Sequence, residues 1–251
     1  MPQNHHGLRR LLLPGFAKEL RRTPDGIYLF GGKVRQFCDK PGHDRYGDSP
    51  EWDGDKVDGT LRSFIEETCA ADLPFGVGLD FGCGTGRTIT TFEGLVKLPI
   101  GLEISMSRLK RYAASPEAKR IRPFLINHEG KLPFRSGSVD FISFITVYEH
   151  LPDPVPYLRE FHRILRKGGV LFAVNDAWFY EKVAALGLSS IAKRDRTHVY
   201  MKTPDFMERQ IREAGFLVER KAYLPYARWG MRATPKPLNR LATKGMVVAR
   251  K

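Results

Sequence analysis

From Pro74 onward, short apolar runs rich in β-branched and aromatic residues alternate with segments whose apolar positions recur at helical spacing. That alternation predicts a largely parallel sheet covered by helices. Five runs read as strands, at 77–81, 100–104, 124–127, 139–147 and 170–175, and two more, at 216–222 and 246–249, would close the sheet. Helices are predicted over 86–94, 107–119 and 155–166, the last stopped by Gly168-Gly169, where glycine accepts the positive φ of a cap. A further helix at 204–214 has Thr203 as N-cap, Pro204 in the first turn and Gly215 at its end. Upstream, Leu61, Phe64, Ile65 and Cys69 give a helical apolar face over 61–71, whereas 36–60 is rich in Asp, Gly and Pro and reads as loop.

With 251 residues and 42% hydrophobic content the chain can bury one large α/β core with elaborations. No apolar run approaches the roughly 18 residues of a membrane-spanning helix. Near the amino terminus, Leu11-Leu12-Leu13 is interrupted by Pro14-Gly15 and is too short for a secretory signal. Cys38, Cys69 and Cys83 show neither disulfide nor zinc spacing, and Cys38, His43 and Asp44 do not form a ligand set, so no metal site is expected and a reducing cytoplasm fits.

The net charge of +13 is uneven. Lys plus Arg against Asp plus Glu runs 7 to 2 over 1–35, 4 to 10 over 36–75, 14 to 10 over 76–176 and 16 to 6 over 177–251. Basic ends around a balanced centre suit an anionic small molecule, RNA or a phospholipid surface, or serve solubility alone.

The most informative stretch is Val77-Gly-Leu-Asp-Phe-Gly-Cys-Gly-Thr-Gly86, a buried strand entering a glycine-rich turn. Such a turn lets a ligand approach the backbone closely. A dinucleotide fingerprint needs a third glycine where this chain has Arg87, and Asp80 beside the turn suits a cationic ligand end better than a pyrophosphate.

Over roughly 74–222 the chain resembles the class I S-adenosylmethionine-dependent methyltransferases of the type 11 group, with their D-x-G-C-G-T-G loop. The resemblance implies a Rossmann-like α/β fold: a seven-stranded, mostly parallel sheet with helices on both faces. It assigns Glu103, seventeen residues after Gly86, to the two ribose hydroxyls. It continues through Lys131-Leu-Pro-Phe134 and Tyr148-Glu-His-Leu-Pro-Asp153. The family usually has an Asp in the adenine loop; here the place falls on Asn127 or His128, and spacing alone does not choose. The implied cofactor contacts are Asp80, Phe81, Gly82, Cys83, Gly84, Gly86, Glu103, Ile104, Asn127, His128, Val147 and Tyr148. His150 and His198 are candidate general bases that read equally well as structural histidines.

Residues 1–60 are then a basic, loop-rich extension contributing to a cap over the acceptor, and 61–251 a cofactor-binding domain with a basic insertion at about 225–244. The expected activity is methyl transfer to O, N or C of a small, anionic molecule. The rivals are an RNA- or ribosome-directed methyltransferase whose basic ends grip phosphate, aided by Trp178, Phe179, Tyr223, Tyr226 and Trp229, and a non-enzymatic assembly subunit that keeps the cofactor fold. Neither an amino-methylation signature nor a cysteine nucleophile follows the fourth strand. Oligomeric state, accepting atom and pathway are not encoded in these motifs.

Overall fold

The computed structural model describes residues 5–30, 54–128, 130–176, 203–224 and 244–251. In chain order these form α1 (His5–Leu11), α2 (Pro14–Glu19), β1 (Arg21–Arg22), β2 (Tyr28–Leu29), α3 (Gly54–Thr68), β3 (Phe75–Phe81), α4 (Arg87–Thr91), β4 (Val96–Glu103) and α5 (Met106–Ala114). They continue with α6 (Pro116–Ile121), β5 (Phe124–Asn127), β6 (Val139–Ile145), α7 (Val155–Ile164), β7 (Leu165–Asp176), α8 (Pro204–Glu213), β8 (Leu217–Leu224) and β9 (Lys244–Arg250). No helix among them is long and apolar enough to cross a membrane.

The chain divides into two compact units, taken here one at a time. In the first, which holds residues 71–143 and 163–169 together with the amino-terminal segment, the strands lie in the order β1-β2-β5-β4-β3-β6. All neighbours are parallel except the β1–β2 pair. Ile27, Ile89, Leu109, Tyr112 and Leu125 make one apolar cluster that joins α4 and α5 to β5 and to the amino-terminal segment. In the second unit β9 pairs antiparallel with both β7 and β8, and Phe144 lies edge-on to Phe161 while Phe64 approaches Phe172.

Among the described residues nine strands stand where seven are expected. The additions, β1 and β2, are two residues each and leave no alternating pattern to read in the sequence. The segment expected to be loop-rich also carries α1 and α2, with Pro14 in the first turn of the latter, where its missing N–H costs nothing. Leu8, Leu12, Ile27 and Tyr28 are fully buried.

Four helices differ from the pattern reading, and the first, expected over 86–94, is the shorter Arg87–Thr91, ended by Phe92, whose N–H donates to the Thr88 carbonyl. The helix expected over 107–119 is two, because Pro116 cannot extend the ladder and holds Ser115 extended; the Ser115 hydroxyl then caps α6 by accepting from Ala118 N–H at 3.1 Å. The helix expected to reach Arg166 stops at Ile164, since Gly137 N–H donates to the Arg163 carbonyl from outside the helix, and β7 begins at Leu165. In turn α3 starts at Gly54, earlier than expected, because the Asp and Gly of its first turns mask the helical period; buried Leu61, Phe64 and Ile65 anchor it within its unit. Strand β6 ends at Ile145 and not Val147, because Thr146 adopts φ 51°.

Leu12→Ala, at a fully buried position whose backbone bridges Phe134, is expected to destabilise the fold by about 2–4 kcal/mol in a denaturant titration. A loss below about 0.5 kcal/mol would mean that the amino-terminal segment does not belong to the cooperative core.

Candidate functional site

Strand β3 carries Asp80 and Phe81 to its carboxyl end and passes into the glycine turn, where Gly82 and Cys83 N–H both donate to the Leu102 carbonyl of β4, at 2.8 and 3.1 Å. The turn therefore stays fastened to the neighbouring strand. Gly86 has φ 85°, and a Cβ there would lie 2.2 Å from the Tyr112 ring, so only glycine lets α5 approach. Gly84 differs: its φ is 53° and a Cβ would meet no protein atom within 4 Å, which leaves open space against the backbone of the turn.

Glu103 closes β4, is 4% exposed, and accepts from Gly84 N–H at Oε2 and from Ser105 N–H at Oε1, both at 2.9 Å. One carboxylate thus ties the turn after β3 to the turn after β4. Ser105 in turn caps α5 by accepting from Arg108 N–H at 3.3 Å.

Asp80 is as deeply buried but has less support. Its Oδ1 accepts from the Ser143 hydroxyl at 2.8 Å, and its Oδ2 has no hydrogen-bond partner. Burial pushes its carboxyl up to about 7; the Ser143 hydrogen bond opposes this, and the Glu103 charge adds to it. Asp80 and Ser143 also line a cavity of about 200 Å³ that runs beneath α4 towards Val96 and Lys97, and takes in neither Glu103 nor the glycine turn. Cys83 is a buried packing residue: burial first, then the Asp80 and Glu103 charges, hold its thiol well above the ordinary range.

At the end of β5 the side chain of Asn127 donates from Nδ2 to the carbonyls of Glu103 and Ile104, at 3.1 and 2.9 Å. Both partners can only accept, so the amide orientation is fixed and Oδ1, buried and without a hydrogen-bond partner, faces the other way. His128 follows, and its Nε2 donates to the Lys131 carbonyl at 2.8 Å.

The remaining expected site residues belong to the second unit. Val147 precedes a short 3-10 turn, Tyr148–His150, in which Tyr148 and Glu149 are fully buried and His150 is half-buried. The Tyr148 hydroxyl donates to Gln210 Oε1 on α8. His198, the stretch 177–202 and most of the basic insertion, 225–243, lie outside the described residues. Ser143 and Ser105 had not been singled out. Ser143 was legible as the one hydroxyl in the apolar run Phe141-Ile-Ser-Phe-Ile145, and it pairs in register with Asp80.

Residues 79–173 match the family model described as a methyltransferase domain. A ubiquinone biosynthesis O-methyltransferase of Thiobacillus denitrificans is 28% identical over 156 residues, 59% of this chain and 67% of that protein. An uncharacterized protein of Methanocaldococcus jannaschii is 33% identical over 103 residues, 41% of this chain, so that the match spans only 46% of the relative's length. Among solved structures, an S-adenosylmethionine-dependent methyltransferase of Clostridium acetobutylicum superposes with a TM-score of 0.60 at 14% identity, over 83% of this chain and 95% of that one. The fold is the Rossmann-like fold of class I methyltransferases, and residues 79–173 are similar to a methyltransferase domain.

Two outcomes follow from the geometry. An unfolded aspartate titrates near 4, whereas folded Asp80 holds its proton to about 7, so its contribution to stability is present at low pH and lost as pH rises from about 4 to about 7. Asp80→Asn should flatten the corresponding part of the melting-temperature profile, and identical profiles for the two proteins would refute the assignment. Asn127→Asp would set a carboxylate against two carbonyl oxygens, and chemical denaturation should show a loss of about 1–3 kcal/mol; unchanged stability would show that the amide does not hold the end of β4.

Proposed function

We propose that this chain is an S-adenosylmethionine-dependent methyltransferase acting on an O, N or C atom of a small, anionic molecule. The observation that carries the reading is the Glu103 carboxylate, fixed by Gly84 and Ser105 N–H where two parallel strands end beside a glycine turn that leaves open space. The residues present fit the cofactor. Glu103 offers two acceptor oxygens to a diol, Asp80 Oδ2 offers a carboxylate oxygen without a hydrogen-bond partner to an ammonium, and the turn admits a ligand against its backbone.

Bound S-adenosylmethionine supplies an electrophilic methyl group on a positively charged sulfur. The chain's own task is to orient the acceptor in line and exclude water, which accounts for much of the acceleration in such transfers. A hydroxyl acceptor also needs somewhere for its proton to go, and His150 is the candidate within the described residues. The O-methyltransferase name of one relative supports an oxygen nucleophile. The sequence of the insertion, with Arg228, Arg232, Lys236 and Arg240 and no acid, supports an acceptor of negative charge.

Titration calorimetry with S-adenosylmethionine and S-adenosylhomocysteine tests the reading. Wild type should bind both, and Glu103→Ala should bind each about 10- to 100-fold more weakly, as expected for lost hydrogen bonds to a charged group. Folded wild type that binds neither would overturn it.

A further inference from the structure

At the carboxyl ends of the parallel strands β3, β4 and β5, Glu103 lies in register with Asn127, which His128 follows, and Asp80 stands opposite Gly101, two residues back from Glu103. At about 4.8 Å between strands and about 3.3 Å per residue the three positions span about 12 Å, enough for a ligand with an ammonium, a diol and a base in that order. A ligand that meets Asp80 with its ammonium and Glu103 with its diol lays its base towards β5 and His128.

The residues beside His128 come from the amino-terminal segment. Phe16 and Phe30 each meet the His128 ring edge-on, with centroids 5.5 and 5.2 Å away, and meet each other at 5.2 Å. The same segment grips both ends of the loop that His128 opens. Before it, β2 runs parallel to β5 with Leu29 beside Asn127. After it, Leu13 N–H donates to the Pro133 carbonyl, and the Arg135 backbone N–H and Nε donate to the Leu11 and Leu12 carbonyls, at 2.7–2.8 Å. The His128 Nε2 bond to Lys131 closes the loop from within. An aspartate here would lie between two phenyl rings without such support and would pay in desolvation, whereas imidazole packs against both.

We propose that Phe16 and Phe30 are positioning residues for the nucleobase of the cofactor: by fixing the His128 ring and residues 130–133, they set the preference for adenine over other bases. The inference rests on the cofactor reading above. Edge-on aromatic pairs hold a defined geometry that aliphatic side chains of similar volume do not.

The test is calorimetric titration of the full chain with S-adenosylhomocysteine and with S-inosylhomocysteine, whose base has a carbonyl in place of the amino group. Wild type should prefer the adenosyl compound. Phe16→Ala and Phe30→Ala should bind it about 3- to 10-fold more weakly and lose most of the preference. Phe16→Leu and Phe30→Leu, which keep apolar volume, should melt near wild type and still lose base preference; they decide the matter if the alanine variants do not fold. Glu103→Ala should weaken both compounds alike, which separates a diol effect from a base effect. Wild type that binds both compounds equally, or variants that keep the preference, would overturn the proposal while leaving the cofactor reading intact. Folded wild type that binds neither compound would overturn both.

Discussion

The carboxylate of Glu103 is the constraint on which the candidate site depends. A charge at this depth is tolerable only when its oxygens are hydrogen-bonded, and the donors come from two different turns, Gly84 after β3 and Ser105 after β4. The glycine turn must therefore fold back towards β4, which the Gly82 and Cys83 bonds to Leu102 also require. Neighbouring positions conform. Gly101 has no side chain because Cys83 Sγ would lie 2.7 Å from its Cβ, and Asn127 clamps the carbonyls of Glu103 and Ile104 so that the strand end cannot rotate.

The two buried carboxylates differ because their donors differ. Glu103 receives two backbone N–H groups and Asp80 one hydroxyl; burial first, and the Glu103 charge after it, keep the Asp80 proton on into the neutral range against that hydrogen bond. Desolvation favours the neutral acid and a ligand cation favours the anion. A carboxyl balanced near neutrality is more responsive to an arriving positive charge than one that is already fully ionised.

Much of this was legible in the sequence. The glycine turn, the acid at the end of the following strand and the run of alternating elements all depend on local spacing, and the pattern puts them in their observed places. The break at Ser115-Pro116 was also legible, because proline restricts the residue before it; the apolar period across it concealed the boundary. The clamp that Asn127 makes on the Glu103 and Ile104 carbonyls was not, since it turns on which carbonyls face the last residue of β5. The amino-terminal elements were hidden for another reason. Strands of two residues have no period, and Phe16 and Phe30 lie fourteen positions apart in sequence while meeting one histidine nearly a hundred residues further on.

On the proposed reading, the electrostatics of the site also bear on turnover. S-adenosylmethionine carries a positive charge on sulfur that S-adenosylhomocysteine lacks, while both carry the same ammonium and carboxylate. Two buried carboxylates on adjacent strand ends attract that extra charge through a medium less polarisable than water, so their field acts more strongly on the cofactor than on its product. On that reading, the pairing of one well-supported and one poorly supported carboxylate favours binding of the cofactor over the product that lacks the sulfonium charge.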